Sequence, residues 1–160
     1  MTNPTAAIIV IGDEILSGRT KDKNIGWLAE QLNAQGIQLR EARVIPDIRE
    51  VIIDTVTLMS STYDLVFTSG GIGPTHDDIT AESVSEAVGR KLIQNPEARR
   101  RLEEHYKYNG TEINEARLRM ANTPEGAELI DNPISTAPGF KVENVHVMAG
   151  VPRIMQAMFE

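Results

Sequence analysis

A glycine-rich segment that leads into two aspartates is the stretch of this sequence with the clearest potential for chemistry. Residues 68–80 read TSGGIGPTHDDIT and directly follow a short apolar run that is typical of a buried strand. Glycines after a strand let the backbone turn sharply and bring bare N–H groups to a ligand, and the positive end of a following helix attracts the same anion. The pattern predicts a phosphate-binding site, to which we assign Gly12, Ser69, Gly70, Gly71, Gly73, Pro74 and Thr75.

This segment matches neither of the common nucleotide-binding signatures. No Gly-Lys-Ser/Thr follows, as a Walker loop would require, and His76 occupies the place of the third glycine in the dinucleotide fingerprint. The glycines alone are equally compatible with a tight turn that binds nothing. The Pro-Thr-His-Asp-Asp sequence that follows them favours a ligand site.

Acidic residues follow each of the first three predicted strands. Asp13 and Glu14 come after the first strand, Asp47 after the second, and Asp77 and Asp78 after the third. The carboxyl ends of parallel strands share one edge of a sheet, where open α/β folds bind ligands. Two carboxylates about 5 Å apart repel by roughly 3 kcal/mol at an effective dielectric constant of 20, and a phosphate adds to this repulsion. The arrangement therefore predicts a divalent cation, Mg²⁺ or Mn²⁺, between the acids and the phosphate.

We assign metal-ligand roles to Asp13, Asp47 and Asp78, and catalytic roles to Asp47, Asp77, Asp78 and His76. Simpler roles remain open, because Asp47 is well placed to cap the next helix and His76 could brace the loop through a hydrogen bond. One of the paired aspartates could likewise cap a turn or form a local ion pair. Charge alone suggests that Lys141 or Arg153 neutralises charge in the transition state, and the segment 132–139 could close over the ligand.

The elements that must position these residues are visible in the hydrophobic pattern. Apolar or alternating runs predict strands over residues 6–11, 37–45 and 64–69, and helical spacing predicts helices over 23–35, 47–59 and 80–88. Strands that alternate with helices indicate an α/β fold with right-handed crossovers between parallel strands. The second half predicts helices over 96–108 and 114–121, short strands over 128–130, 139–142 and 145–148, and a final helix from Pro152.

One segment concentrates positive charge. Residues 90–119 hold eight of the sixteen basic residues against five acids. We interpret this segment as a solvated helical face, and the alternative is a patch that faces a phosphate or another subunit.

Composition excludes several classes of protein. The chain has 160 residues, and its 16 basic and 23 acidic residues give a formal charge of −7, which disfavours a nucleic-acid binder. No cysteine is present, so disulfides, thiol nucleophiles and thiolate metal sites are excluded. No apolar run is long enough to cross a membrane and no secretory signal is recognisable, so we expect a cytoplasmic protein.

Residues 1–160 are expected to form one domain, and a chain that ends inside a predicted helix is compatible with a fragment of a longer one.

Several motifs together resemble one known family. The segments GDEILSG (12–18), VIPD (44–47) and GGIGPTHDDIT (70–80), with Asp22 and Asn24, resemble the MoaB/Mog-like molybdopterin-binding domain family. The form of the glycine loop is most similar to the N-terminal domain of the competence-damage inducible protein CinA, and also to the corresponding domain of eukaryotic FAD synthases. The tail segments NPISTAPGF (132–140) and GVPR (150–153) are similar to the same family.

This resemblance implies a three-layer α/β/α sandwich with a mostly parallel central sheet, assembled into homo-oligomers such as dimers or trimers. It further implies that the glycine loop holds the phosphate of a pterin or nucleotide. In Mog-type members the aspartates that match Asp47 and Asp78 serve adenylylation of molybdopterin with Mg²⁺ and ATP. CinA-type members are assigned a metal-dependent pyrophosphatase activity on ADP-ribose-like dinucleotides, whereas the amidase domain that often accompanies them lies outside this sequence.

Three functions therefore remain open from the sequence. The first is hydrolysis of the phosphoanhydride of an ADP-ribose-like nucleotide with a divalent metal. The second is a non-catalytic module that binds molybdopterin, and the third is molybdopterin adenylylation in molybdenum cofactor biosynthesis. The residues His76 and Asp77 before Asp78 depart from the Mog-type pattern, which disfavours the third function.

Overall fold

A computed structural model describes residues 3–74, 78–134, 137–150 and 152–159. Of residues 152, 153 and 157 it describes the backbone alone. Within these ranges the first half of the chain forms β1 (Thr5–Ile11), α1 (Asp13–Leu16), α2 (Asn24–Ala34), β2 (Gln38–Ile45), α3 (Arg49–Thr62), β3 (Leu65–Ser69) and α4 (Thr80–Ala87). The second half forms β4 (Leu92–Gln94), α5 (Pro96–Tyr108), α6 (Glu115–Leu118), a 3₁₀ turn (Arg119–Ala121), β5 (Asn122–Pro124), β6 (Glu128–Ile130), β7 (Gly139–Val142), β8 (Val145–Met148) and α7 (Pro152–Phe159).

The central sheet has six strands in the order β2-β1-β3-β8-β7-β6. The four strands β2, β1, β3 and β8 run parallel, while β7 is antiparallel to both β8 and β6. The α/β fold with a mostly parallel sheet that the sequence predicted is therefore confirmed. The register pairs Ile11 with Ile45 and Val10 with Ser69, so the carboxyl ends of β1, β2 and β3 lie side by side.

Helices cover both faces of this sheet, which gives three layers. Ile52 and Val56 of α3 and Val84 of α4 pack in one apolar cluster, and Leu28 of α2 and Met155 of α7 pack in another. Strand β1 contributes to both clusters, because its even-numbered residues face α2 and α7 and its odd-numbered residues face α3 and α4. Burial on both faces explains why β1 is an uninterrupted apolar run, with every residue from position 6 to 11 at most 3% exposed.

A smaller peripheral unit lies beside the main sheet and was not predicted in full. Strands β4 and β5 pair antiparallel as a separate two-stranded sheet, and the packing of Ala98 and Leu102 of α5 against Ala121 forms a third apolar cluster. The sequence predicted α5 and the following helix but missed both strands, of which β5 reads Asn-Thr-Pro and has no apolar run. The predicted cap of α5 is confirmed, since the Asn95 side chain accepts a hydrogen bond from the Ala98 N–H at 3.0 Å.

The basic segment is largely a solvated helical face, as the first interpretation held. Arg99, Arg100 and Arg101 of α5 all form ion pairs with nearby acids, most of them one helical turn away. Arg90 pairs with Glu143 at 2.7 Å. No helix in the described ranges is long and apolar enough to span a membrane.

One histidine, in β8, is half-buried. His146 of β8 stacks on Phe67 of β3 with ring centroids 4.9 Å apart, and Phe67 in turn contacts Phe159 of α7. The Nδ1 atom of His146 is buried without a hydrogen-bond partner. Burial is the main reason why the pKa of His146 is lowered from 6.5, and the positive charge of Lys141 acts in the same direction.

This burial predicts an acid-sensitive contribution to stability. Because the unfolded chain binds a proton at His146 more readily than the folded chain, the free energy of unfolding falls as the pH decreases below 6.5. We expect His146→Phe to flatten this part of the pH profile, by less than about 1 kcal/mol per pH unit because solvent screens part of the ring. Urea unfolding at pH 5.5, 6.5 and 7.5 measures the effect. His105→Phe on α5 is the control, and an equally flat profile in that variant would contradict the assignment.

Candidate functional site

The candidate site is built where β1, β2 and β3 end. The Gly12 N–H, directly after β1, donates to the Ile45 carbonyl at the end of β2 at 3.0 Å. The Gly70 N–H, directly after β3, donates to the Met148 carbonyl at the end of β8 at 3.1 Å. These two hydrogen bonds hold the first residues after β1 and β3 against the sheet, so the loops that follow leave from fixed positions.

The glycine turn at residues 70–73 requires glycine for two reasons. Gly70 and Gly71 have φ angles of 102° and 74°, which favour glycine, and a β-carbon on either would overlap a neighbour. The neighbour of Gly70 is the Ile11 carbonyl, and that of Gly71 is the Thr80 hydroxyl. Thr80, the first residue of α4, donates its hydroxyl to the Gly70 carbonyl at 2.9 Å and its N–H to the Gly71 carbonyl at 3.0 Å. The turn is therefore fixed to β1 on one side and to α4 on the other.

Three backbone N–H groups of this turn are available to a ligand. Within the described part of the chain, the N–H groups of Gly71, Ile72 and Gly73 donate no hydrogen bond. Those of Gly12 and Gly70 are already used, which gives no support to the prediction that these two bind phosphate. The sequence singled out the glycines and thereby missed Ile72, whose side chain is irrelevant to a backbone donor.

The close packing of Gly71 predicts a stability effect beyond backbone strain. Gly71→Ala must accommodate both a left-handed φ and an overlap with Thr80, whereas Gly89, with a φ of 70°, has nothing within 4 Å of the added carbon. We expect Gly89→Ala to cost about 1–2 kcal/mol of unfolding free energy from strain alone. Gly71→Ala should cost a further 1–3 kcal/mol, roughly, from overpacking. Equal costs in denaturant titrations of the two variants would show that the turn does not press on α4.

Asp13 and Asp47 are linked to each other across the ends of β1 and β2. The Asp47 N–H donates to Asp13 Oδ1 at 3.2 Å, and the Asp13 N–H lies 3.4 Å from Asp47 Oδ2. The alternative that Asp47 caps the following helix is wrong, because the N-cap of α3 is Ile48 and no side chain caps it. The carboxylate of Asp47 is instead turned towards the Asp13 backbone. Asp13 itself lies at the start of α1, a four-residue helix that the sequence did not predict.

The acids lie against the glycine turn. Asp47 Oδ1 is 3.6 Å from the position that a β-carbon on Gly71 would take, and Asp78 Oδ2 is 2.8 Å from the corresponding position at Gly73. Burial raises the pKa of Asp47 above 3.8, and the negative charges of Asp13, Glu14 and Asp78 add to this, against the opposing hydrogen bond from the Asp13 N–H. The structure therefore places mutually repelling carboxylates beside free N–H donors, as the sequence predicted for Asp13, Asp47 and Asp78.

The raised pKa of Asp47 predicts that its charge destabilises the fold at neutral pH. The folded chain binds this proton more tightly than the unfolded chain, so the free energy of unfolding rises as the pH falls from neutral towards 3.8. With a chelator present, we expect Asp47→Asn to melt a few degrees higher than the unsubstituted protein at pH 7, roughly, and the difference should shrink near pH 4. The exposed Asp54→Asn on α3 is the matched control. A lower melting temperature for Asp47→Asn at pH 7 would contradict this assignment.

Two large clefts open on either side of the glycine turn. The first, of about 520 Å³, has a largely apolar wall and is lined by Glu14, Thr20, residues 70–74, Asp78, Met120, Asn132, Ala137, Ala149, Gly150 and Ile154. The second, of about 540 Å³, is lined by Ile11, Asp13, Glu14, Arg19, Asp47, Gly71 and Asp78. We call them the apolar cleft and the acid cleft. They share Glu14, Gly71 and Asp78, so they meet at the glycine turn.

Some residues of these clefts were predicted and others were not. Pro74, which was assigned to the phosphate-binding site, lines the apolar cleft. Asn132 donates a hydrogen bond to the Ala137 carbonyl at 3.0 Å. Ser69 is buried and lines a separate cavity of about 50 Å³ beside Asn24, so its position does not support contact with a phosphate. The sequence missed Arg19 and Met120, because a single arginine or methionine carries no motif.

Five further predicted residues receive no support from the structure. Thr75, His76 and Asp77 lie outside the described residues, as does the side chain of Arg153. Lys141 is in the middle of β7, paired with Glu128 and His146, and lines neither of the two clefts. The suggestion from charge alone that Lys141 neutralises charge in the transition state is therefore not supported.

The acids have the ligand chemistry that a divalent cation prefers, but too few of them converge to hold an ion by themselves. Carboxylate oxygens are the ligands that Mg²⁺ and Mn²⁺ prefer. Among the side chains that the structure describes, however, no three of His, Asp or Glu lie close enough together to hold an ion by themselves. The expectation that Asp13, Asp47 and Asp78 jointly bind one metal is therefore not supported by the geometry. The donors present fit an ion that a ligand's phosphate oxygens complete.

A mostly parallel α/β sheet with a glycine turn and acids at its carboxyl edge is typical of the α/β proteins that bind ligands at that edge. Residues 7–160 match the family MoCF_biosynth, described as a probable molybdopterin binding domain. A CinA-like protein of Sulfurihydrogenibium sp. is 40% identical over 160 residues, covering 96% of this chain and 40% of that protein. The chain belongs to this molybdopterin-binding domain family and is CinA-like within it.

Solved structures agree with this membership. The protein CinA of Thermoplasma acidophilum, itself of unknown function, is 33% identical with a TM-score of 0.90, covering 99% of this chain and 95% of that one. The molybdopterin biosynthesis enzyme MoaB of Thermus thermophilus shares the fold at a TM-score of 0.65 and 16% identity, covering 98% of this chain and 87% of that one. A protein of Pyrobaculum calidifontis is 40% identical over 98% of this chain. This chain spans about three fifths of the length of that relative and of others like it.

Proposed function

We propose that the protein binds a nucleotide with a diphosphate, of the ADP-ribose type, and hydrolyses its phosphoanhydride with Mg²⁺ or Mn²⁺. The observation that carries this proposal is the meeting of free N–H donors and carboxylates at one turn: Gly71, Ile72 and Gly73 beside Asp47 and Asp78. Backbone donors alone would suit any phosphate. A site built only to bind an anion gains nothing from carboxylates next to it, because each one repels the ligand.

The need for a metal follows from this conflict of charges. Asp13, Glu14, Asp47 and Asp78 line the acid cleft with a single guanidinium, that of Arg19. Mg²⁺ in phosphate-transfer sites is commonly held by one or two carboxylates together with the substrate's own phosphate oxygens. When bound, the ion would neutralise the acids and polarise the phosphoryl group that is attacked.

The remaining roles fall to the chain's own groups. The N–H groups of the glycine turn orient the phosphate, and Met120 and Ile154 offer an apolar wall to a base or another flat ring. Water attacks one phosphorus atom and the bridging oxygen leaves with the other phosphate, so ADP-ribose yields AMP and ribose 5-phosphate. Orientation of that water is assigned to one of the aspartates or to His76, as the sequence predicted.

Turnover of ADP-ribose with and without Mg²⁺ or Mn²⁺ tests the proposal. We expect metal-dependent release of AMP, and a loss on the order of a hundredfold or more in kcat/KM for Asp78→Asn. Asp54→Asn, on the exposed face of α3, should retain the activity of the unsubstituted protein. Full turnover by Asp78→Asn with unchanged metal dependence would overturn the assigned role of Asp78, and no product from the unsubstituted protein would overturn the hydrolase proposal.

A second candidate is a module that holds a phosphorylated pterin without reacting with it. The apolar wall of the first cleft and the kinship with molybdopterin-binding proteins favour this candidate. Calorimetric binding of molybdopterin, with no product from ADP-ribose, FAD, or ATP plus molybdopterin, would support it. Product from ATP plus molybdopterin would instead indicate the adenylylation known from the family resemblance. Tighter pterin binding after Asp78→Asn would further favour a binding module, because removing a carboxylate removes a repulsion.

A further inference from the structure

The two arginines left unpaired in this structure both line clefts that meet at Asp78. Among the guanidinium groups that the structure describes, only those of Arg19 and Arg119 form no hydrogen bond, ion pair or ring contact. Arg19 lines the acid cleft, and Arg119 lines a third cleft of about 290 Å³ with Asp78 and Glu82. Every other arginine side chain that the structure describes has a hydrogen-bond acceptor, so these two exposed guanidinium groups are the ones open to an anion from outside the chain.

Arg19 is presented to the acid cleft by a well-defined loop. After α1 the chain turns at Ser17, whose N–H donates to the Asp13 carbonyl at 2.9 Å. The Thr20 N–H then donates to the Glu14 carbonyl at 3.0 Å, and the Arg19 N–H lies 3.4 Å from the Ser17 hydroxyl. The backbone on both sides of Arg19 is thereby anchored to α1. Its side chain is exposed and lines the same cleft as Asp13, Asp47 and Gly71.

The order of the clefts sets which part of a ligand reaches Arg19. A flat ring against Met120 and Ile154 lies in the apolar cleft, and the first phosphate after it meets the free N–H groups of the turn. Gly71 belongs to both clefts, so a ligand that continues past this first phosphate enters the acid cleft. A nucleoside or pterin monophosphate placed in this way would end at the turn. A second phosphate would lie in the cleft that Arg19 lines.

We infer that Arg19 binds the second phosphate of the ligand and thereby selects diphosphate-bearing nucleotides over monophosphates. The inference rests on the proposed function only in taking a diphosphate as the ligand, and it concerns binding, not turnover. A guanidinium matches two phosphate oxygens at once, and such paired charge-assisted hydrogen bonds are strong and directional. Arg19 also offsets part of the repulsion that the surrounding carboxylates exert on that phosphate.

Calorimetry with two probes separates this role from general electrostatics. The probes are AMP and the ADP-ribose analogue in which a methylene group replaces the oxygen between the phosphorus atoms, each with Mg²⁺. We expect Arg19→Ala to weaken binding of the analogue about tenfold to a hundredfold and that of AMP less than about threefold. Arg19→Lys should fall between, because it keeps the charge but loses the two parallel donors. Arg40→Ala, at the opposite end of β2, is the matched control and should change neither affinity.

Three other results of the binding experiment would overturn the inference. Equal weakening of both probes would make Arg19 a general attractor of anions, and no weakening would exclude it from the site. A selective loss in Arg119→Ala instead of Arg19→Ala would place the second phosphate in the third cleft. The proposed function fails separately: a selective loss in Arg19→Ala, combined with no hydrolysis of ADP-ribose by the unsubstituted protein, would refute the hydrolase and keep the inference. Hydrolysis of ADP-ribose by the unsubstituted protein, combined with unchanged binding of the analogue by Arg19→Ala, would refute the inference and keep the hydrolase.

Discussion

The close approach of the Gly70 backbone to its neighbours is the constraint on which the candidate site depends. A β-carbon at Gly70 would overlap the Ile11 carbonyl, and one at Gly150 would come within 3.0 Å of the Gly70 α-carbon. Glycine at both positions therefore lets the chain after β3 pass between the loop after β1 and the loop after β8. Because this crossing is tight, the free N–H groups of the turn and the acids after β1 and β2 share a small space. A wider turn would separate its N–H donors from the acids after β1 and β2, and the two would no longer form one site.

The carboxylates of the candidate site repel one another, and the fold holds them together despite this repulsion. The pKa of Asp47 is raised by burial and by three neighbouring carboxylates, which means that the ionised site is held at some cost to stability. The reciprocal hydrogen bonds between Asp13 and Asp47 offset part of that cost without removing either charge. Residues that destabilise a fold while facing a cleft are characteristic of ligand sites, since a binding partner can relieve the strain. The core beneath supplies the stability, with both faces of β1 fully covered.

Sequence predicted the parts of this structure that have a strong physical signature. Strand β1 was readable because a strand buried on both faces is uniformly apolar, and β3 because it begins with three apolar residues. Their parallel order placed the acids of the following loops at one edge. Strand β5 was missed because Asn-Thr-Pro has no apolar run, and α1 because four residues are too few to show a helical period. Strand β4 was missed as well. Asp47 was a reasonable helix cap from its position, yet the Asp13 backbone offered its carboxylate a competing partner across the sheet. Long-range pairings of this kind leave no local pattern in the sequence. The position of Arg19 at the acid cleft likewise has no local sequence pattern.

In the proposed function, the shape of the site links the binding of the metal to the binding of the ligand. No three described carboxylates or histidines converge to hold an ion alone, so a divalent cation would gain its remaining ligands from a bound phosphate. That phosphate would be repelled by Asp47 and Asp78 until an ion screened them. Each partner would therefore remove a cost that the other meets, and by thermodynamic linkage the enhancement would be mutual. A ligand that is apolar at one end and doubly charged at the other fits both clefts, whereas a bare ion or a neutral ring fits only half of the site.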